Sequence, residues 1–422
     1  MALAHSPRAS AGLAPIVLAD DLSGAAEAAA AALGAGWPTA RVLLDPASVS
    51  DVPGAVQVLD LNSRGLDSWA AGSVAESAFD QVAQAPVIKK VDSLLRGNLE
   101  AELRPAVRLG RTVVLSPALP SQGRTVLNGV LHVGRLPLHE THAWATEAAQ
   151  PPRTVREALG GLPAVNVDLD QLRSGEWTAL LASPKPHVVI CDAEAAEDLD
   201  AIIDGAGRGE VLLAGSSDLV RRWLGAFEGL APSSSAKLPA GVAGSAPRVL
   251  GVIGSTAATI APQLAHAVDR AGVVVRQLEV ADLLAGEDRF LGRAAAELRQ
   301  TLVRNDVCLV PGPSPALDRE QQRRVASSLA EVVARAVGAT DRTALFLTGG
   351  ETARAVLDRL ATRCLAVDAE VHHGAVLSHT ESGRLVATRP GSFGHEASIT
   401  DIFQALRGAQ ATYGRTTHDG DH

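Results

Sequence analysis

The feature that most constrains the fold of this chain is an alternation. Short apolar runs recur at 14–19 (APIVLA), 113–115 (VVL), 187–191 (HVVIC), 211–214 (VLLA), 248–254 (RVLGVIG), 273–278 (VVVRQL), 306–310 (DVCLV) and 343–347 (TALFL). They are rich in β-branched residues and alternate only weakly, as strands of a parallel sheet covered on both faces do. Between them lie amphipathic stretches such as 257–270, 319–337 and 352–361. Strand–helix alternation of this kind predicts α/β layers. A stretch rich in Pro, Gly, Ser and Ala at 229–247 has neither period and reads as a linker. The expected organisation is therefore two α/β domains with mainly parallel sheets, at 10–230 and 248–410, joined by that linker. The last dozen residues are polar and read as disordered.

Composition narrows the function. Aromatic residues make up 3% of 422, so Ala, Val and Leu must fill the cores. A net charge of −9 with no Lys/Arg block gives no basic face for a nucleic acid. Any anion site must then be local, built from a few Arg, Lys and backbone N–H groups. Cys191, Cys308 and Cys364 are odd in number, far apart and without CxxC spacing, which argues against a disulfide framework or a zinc ribbon and points to a reducing cytoplasm. The N-terminus lacks a signal-peptide pattern, and no run of 18 apolar residues suggests a membrane span.

The chemistry-bearing residues cluster after the apolar runs. In ADDLSGAAEAAAAA (19–32), Asp20 and Asp21 end a strand and an Ala-rich helix follows. Carboxylates there are placed to meet a ligand, or one of them caps the helix with help from Ser23. IKKVDSLLRGNLEAEL (88–103) holds Lys89, Lys90, Asp92, Ser93 and Arg96 within eight residues. The cations can hold a carboxylate or phosphate and Asp92 can accept a hydroxyl proton; a solvated turn with an Asp92–Arg96 pair is equally consistent with the spacing. The stretch 116–141, rich in Pro and Gly, reads as a binding loop carrying Arg124, Asn128, His132 and His139, with His142 just beyond and no HExxH spacing for a metal. Arg64, in DLNSRGLD, reads alone as a surface residue.

Two strand–turn–helix corners follow in the second half, at Gly254-Ser255 and at Thr348-Gly349-Gly350-Glu351-Thr352. Helix N-termini and glycines at such corners can receive a phosphate, although each alone is also an ordinary βα turn. Gly312 in VPGPSP, and Gly391 and Gly394 in RPGSFG, add two more glycine turns. The signatures GxxxxGK[ST], GxGxxG and GxSxG are absent, which disfavours a P-loop NTPase, a Rossmann dehydrogenase and an α/β-hydrolase.

Taken in order, ADDLSGA, KVDSLLRGN, PALPSQGRTVLNG, IGS, GGETA and RPGSFG resemble the motifs of the four-carbon acid sugar kinases, over about residues 15–405. The resemblance implies an N-terminal domain for a sugar acid and a C-terminal domain for ATP, with Mg2+ accompanying the nucleotide. It implies that Asp21, Arg64, Lys90, Val91, Asp92 and Ser93 meet the substrate, and that Ser255, Gly349, Gly350, Glu351, Thr352 and Gly391 meet the nucleotide, with Gly312 nearby. On that basis Asp92 and Asp21 are candidates for base or orienter, and Arg96 and Arg124 for offsetting the charge of the transferring phosphoryl group. The expected reaction is phosphorylation of the terminal hydroxyl of a tetronate or 3-oxo-tetronate by a cytoplasmic enzyme, with a homodimer left open. Ser23, Leu94 and Arg389 depart from the family pattern, where Thr, Thr and Lys are usual. A sugar-acid sensor without turnover is the alternative.

Overall fold

The computed structural model describes residues 14–49, 52, 54–83, 85–144, 147, 149–207, 211–227, 248–254, 259–315, 317–338, 343–391 and 393–415. The expected linker and Ser255 lie outside them. The described residues divide into two compact units, the first within Met1–Ala40 and Val49–Ser234, the second within Arg41–Ser48 and Ser235–His422.

The first unit contains β1 (Ile16–Ala19) and α1 (Leu22–Gly34), and the chain leaves it along β2 (Thr39–Leu43). It returns for β3 (Ala55–Asp60), α2 (Ser68–Gln81), β4 (Val87–Lys90), α3 (Leu99–Arg108) and β5 (Thr112–Ser116). A meander of β6 (Arg124–Leu127), β7 (Val130–Val133) and β8 (Leu136–Pro137) follows. The unit is completed by α4 (Val155–Ala158), β9 (Ala164–Val167), α5 (Leu169–Ser174), β10 (Val188–Cys191), α6 (Ala196–Ala206), β11 (Val211–Gly215) and α7 (Ser217–Gly225). Its main sheet runs β3-β1-β4-β11-β5-β10-β9, and every neighbouring pair is parallel. Burial explains the composition of most strands: every residue of β1, β5 and β10 is buried, which favours apolar side chains on both faces, while β4, equally buried, carries Lys89 and Lys90. Ala-rich α1 buries ten of its thirteen residues. Alanine combines the best helix propensity with the smallest side chain, which lets this helix lie close on its neighbours.

The stretch 116–141 is not wholly a loop. Asn128 and Gly129 have φ of 52° and 72°, and Leu127 pairs with Val130, so this dipeptide is the two-residue turn of a hairpin. Asn-Gly is favoured at such turns because both positions need the left-handed region.

The second unit runs β12 (Val249–Ile253), α8 (Ile260–Ala271), β13 (Val274–Leu278), α9 (Val280–Ala285), α10 (Asp288–Leu302), β14 (Val307–Pro311), α11 (Arg319–Val337), β15 (Ala344–Thr348) and α12 (Gly350–Arg359). Then come β16 (Cys364–His372), β17 (Ala375–Thr380), β18 (Leu385–Arg389) and α13 (Ser398–Arg415). Five strands, β13-β14-β12-β15-β18, are parallel. The antiparallel strands β17 and β16 follow, and Arg41–Leu43 of β2 pair antiparallel with Cys364–Ala366 of β16. Residues 41–48 thus belong to the second unit although they come early in the chain. Phe346 of β15 meets Phe403 of α13 edge-on, ring centroids 6.2 Å apart, at the centre of the core. Helix α13 continues to Arg415, into the polar stretch that composition marks as disordered. All three cysteines are buried and unbridged.

Candidate active site

In the first unit, strands β3, β1 and β4 are neighbours, and the chain reaches β3 on one side of β1 and β4 on the other. The strand order reverses there, and a crevice at the carboxyl ends of such strands is where open α/β sheets take ligands. The charged residues that follow these three strands converge on that point. Arg64, after β3, donates from Nε (2.7 Å) and Nη2 (3.0 Å) to the two oxygens of Asp20 and from Nη1 (2.7 Å) to Asp21, and its Nη2 lies 3.4 Å from Asp92 Oδ1. One guanidinium thereby joins three aspartates from two strand ends. Arg64 belongs to this charged cluster and is not an ordinary surface residue. Sequence spacing alone gave no signal for that.

The loop after β4 is wound around Asp92. Its Oδ2 accepts from the backbone N–H groups of Leu94 and Arg96 (both 3.1 Å) and from Arg96 Nε (2.9 Å), and its Oδ1 accepts from Arg96 Nη2 (2.8 Å). The turn places Leu95 at φ 60° and Gly97 at φ 89°. A Cβ at Gly97 would come within 3.3 Å of Asp20 and of the Arg64 side chain. Asn98 secures the loop by donating to the carbonyls of Ser63 (3.0 Å) and Leu66 (2.9 Å). Val91 is buried, its N–H donating to Gly215 O. Ser93 Oγ accepts from Arg124 Nη1, which brings the start of the meander to the same place. Asp20, Asp92 and Arg96 line a small recess there with Val91, Leu95 and Leu99.

Adjacent lysines of β4 point to opposite faces, as strand geometry requires. Lys89 is fully buried, 2.8 Å from Glu102 of α3. Lys90 reaches Glu27 of α1 at 3.4 Å, and passes where a Cβ on Gly24 would stand (2.8 Å from Nζ). Glu27 and Glu102 were missed from the sequence. A lone acid within an Ala-rich helix was the available signal for Glu27.

The three aspartates differ in their proton affinity. Burial works to raise Asp92, but Arg96 and Arg64 outweigh it and hold the carboxyl well below its ordinary range. Burial likewise opposes Arg64, Lys89 and Lys90 at Asp20, and the cations prevail. At Asp21 burial raises the carboxyl; Arg64 opposes it and neighbouring Asp20 adds to it, leaving Asp21 above the usual value. Asp21 Oδ1 also caps α1 through Gly24 N (2.8 Å), so the capping and ligand readings of this residue are compatible. Burial lowers the Arg124 guanidinium, with Asp92 opposing.

In the second unit the glycine corners lie along one edge, because parallel strands end on the same side. Gly312 follows β14, Gly254 follows β12, Gly349 follows β15 and Gly391 comes two residues after β18, on four adjacent strands. Gly349, at φ 87°, is the residue before α12, whose first residues are Gly350, Glu351 and Thr352. Its N–H donates to Arg389 O at 3.0 Å. Thr352 is buried where a Cβ on Gly254 would collide with it. Glu351 is exposed and 3.3 Å from Arg323. Gly312 N donates to Leu278 O (2.8 Å).

Comparison with known proteins also gives two domains. Residues 15–223 match the family of sugar-binding N-terminal domains, and residues 250–399 the family of nucleotide-binding C-terminal domains. The chain is 31% identical to the D-threonate kinase of Cupriavidus necator over 94% of its own length and 99% of the relative's. It is 27% identical to the 3-oxo-tetronate kinase of Methylobacterium radiotolerans, over 89% and 95%. The crystal structure of Haemophilus influenzae protein HI1011 shares the fold, with a TM-score of 0.66 at 19% identity over 93% of this chain and 99% of that one. Among the described residues no helix is long and apolar enough to cross a membrane. Two matched domains in the order the motifs require, and near end-to-end similarity to named kinases, establish that this chain is a kinase belonging to the four-carbon acid sugar kinase family.

Proposed function

We propose that this kinase moves the γ-phosphoryl group of ATP to the terminal hydroxyl of a four-carbon sugar acid. The acid occupies the first unit at Asp21, Asp92, Ser93, Arg96 and Arg124. The nucleotide lies along the glycine corners of the second. The observation that carries this reading is the convergence of three strand ends, where Arg64 binds Asp20 and Asp21 and stands beside Asp92.

Arg64 is the organiser of this site: its fork is engaged by aspartates, and it holds them in place for the substrate. Asp92 is engaged by four donors and strongly acidic, which suits an anchor for Arg96 better than a proton acceptor. Asp21 accepts two hydrogen bonds and has the raised carboxyl, so it is the better orienter or base for the hydroxyl. Arg96 and Arg124 supply positive charge where a phosphoryl group arrives, and phosphoryl transfer needs positioning and charge neutralisation above all. Among the described residues no cluster of three His, Cys, Asp or Glu side chains forms a ready-made metal site. Magnesium enters with the co-substrate as Mg-ATP, the usual way this ion enters kinase sites.

The test is ADP release with Mg-ATP over D-threonate, D-erythronate and 3-oxo-tetronate. D-threonate comes first because it is the acid named for the Cupriavidus relative. Release of ADP with one of these acids supports the reading. Tight acid binding with no ADP from any of them would favour a sensing protein.

A further inference from the structure

The last residue of β18, Arg389, is 1% exposed and among the largest fully buried side chains. Its Nη1 is held twice, by Gln263 Oε1 of α8 at 2.8 Å and by Ser398 Oγ. The guanidinium carbon lies 5.5 Å from the centre of the Phe346 ring. The other edge of the same fork, Nε and Nη2, meets no acceptor among the described residues. Thr348 Oγ1 is also without a partner among them, and Thr348 stands opposite Arg389 in the β15–β18 register, hence on the same face of the sheet.

This arrangement is unusual in two ways. A buried charge is ordinarily paired, because taking it from water is costly, and burial pulls this guanidinium down to about 10 with no carboxylate among the described residues to restore it. Nor is the group loose. Two anchors on Nη1 fix its plane, and Gly394, at φ 104°, lies so close that a Cβ there would strike Nη1 and Ser398. The Arg389 carbonyl accepts from Gly349 N, so its backbone is tied to the corner that opens α12. The result is an oriented, uncompensated two-donor edge at the end of the strand beside a helix N-terminus. A planar fork of this kind matches the oxygens of a phosphate.

We infer that Arg389 is the counter-charge for the phosphate tail of the nucleotide, its Nε–Nη2 edge taking a phosphate oxygen, directly or through one bridging water, after a small displacement of the residues that cover it. The inference rests on the nucleotide reading of the second unit and deepens it by naming a side chain that meets the phosphates.

Calorimetric titrations of the full chain with ATP, ADP, adenosine and inorganic phosphate test it, in wild type, Arg389→Met and Arg389→Gln. Losing a charge-assisted pair should weaken ATP and ADP by roughly tenfold to a hundredfold, while adenosine affinity stays within about twofold, since adenosine carries no phosphate for the fork to meet. Ligand-free Arg389→Met should melt no lower than wild type, because an uncompensated buried charge has been removed. ATP should raise its Tm less than it raises that of wild type. Inorganic phosphate should compete with ATP in wild type; phosphate that binds without competing would place a separate anion there and overturn the assignment. Equal losses for ATP and adenosine, or unchanged ATP affinity, would make Arg389 a structural tie, as would failure of both variants to fold. Absence of both ATP and adenosine binding to wild type would instead overturn the nucleotide reading itself.

Discussion

Arg96 donates three hydrogen bonds to Asp92, one from its backbone N–H (3.1 Å) and two from its guanidinium (2.9 and 2.8 Å). The carboxylate therefore fixes both the path of the loop and the direction of its arginine. Asp92→Asn keeps the shape but loses the charge, and turnover should fall at least tenfold as Arg96 loosens. The cost in stability should be about 1.5–3 kcal/mol at pH 7. Its pH dependence has a definite sign. The folded carboxyl is held below its unfolded value of about 3.9. Its contribution is complete above that value and disappears as pH falls through the depressed one. Urea unfolding of both proteins should show a gap that is constant near neutrality and narrows below about pH 4. Near-normal turnover in the variant would remove Asp92 from the site.

Asp21 separates the proton acceptor from the anchor. Asparagine caps helices as well as aspartate does, so Asp21→Asn should leave α1 in place and the melting temperature little changed. Turnover should fall roughly 10²- to 10⁴-fold, the range for a lost general base. The wild-type kcat profile should also fall on its acid side through a value above that of an ordinary aspartate, the direction in which burial and Asp20 push this carboxyl. A profile in which that limb survives in Asp21→Asn would transfer the role to another group.

Gly24 lies against the end of Lys90. A methyl at Gly24 would stand 2.8 Å from Lys90 Nζ and 2.9 Å from Asp21 Oδ1. The lysine end is flexible and can yield, so Gly24→Ala should fold, helped by the better helix propensity of alanine. The displaced amine would leave Glu27, and a crowded Asp21 would sit less well. KM for the sugar acid should rise severalfold, with KM for ATP unchanged. Parallel increases in both would show that the substitution acts through folding.

How much of this was legible follows from what each residue depends on. Of the strands buried on both faces, β1, β5, β12 and β15 were readable from their continuous apolar runs, whereas β3, β4 and β18, just as buried, were not, because Gln57, Lys89, Lys90 and Arg389 break the run. The strands β2 and β16 were not, since their buried positions are interrupted by partly exposed ones such as Arg41 and Asp368. Asp21 and Asp92 were legible because each sits in a dense motif at a strand end. Arg64 lies 43 residues from Asp21 in sequence, and only the pairing of β3 with β1 brings them together. Gln263 and Ser398 meet Arg389 through the packing of α8 and α13, for which single-sequence patterns carry no signal.

Gly254 and Thr352 approach each other closely. A Cβ at Gly254 would overlap the Thr352 hydroxyl and lie 2.8 Å from its Cβ. Thr352 is buried in the first turn of α12, so it has little room to retreat. Gly254→Ala should therefore destabilise the second unit by about 1–3 kcal/mol, the usual cost of overpacking. Thr352→Ala removes the colliding hydroxyl and methyl and opens a small void instead. In the double variant the new methyl enters the space left by the old side chain, and the combined loss should be smaller than the sum of the single losses. A coupling of about 0.5–3 kcal/mol is expected for residues in direct contact, read from urea unfolding of the four proteins. Affinity for ADP, measured alongside, should follow the same order, since both residues shape strand ends that carry the glycine corners. Strict additivity would mean that the two corners are not packed on each other in solution.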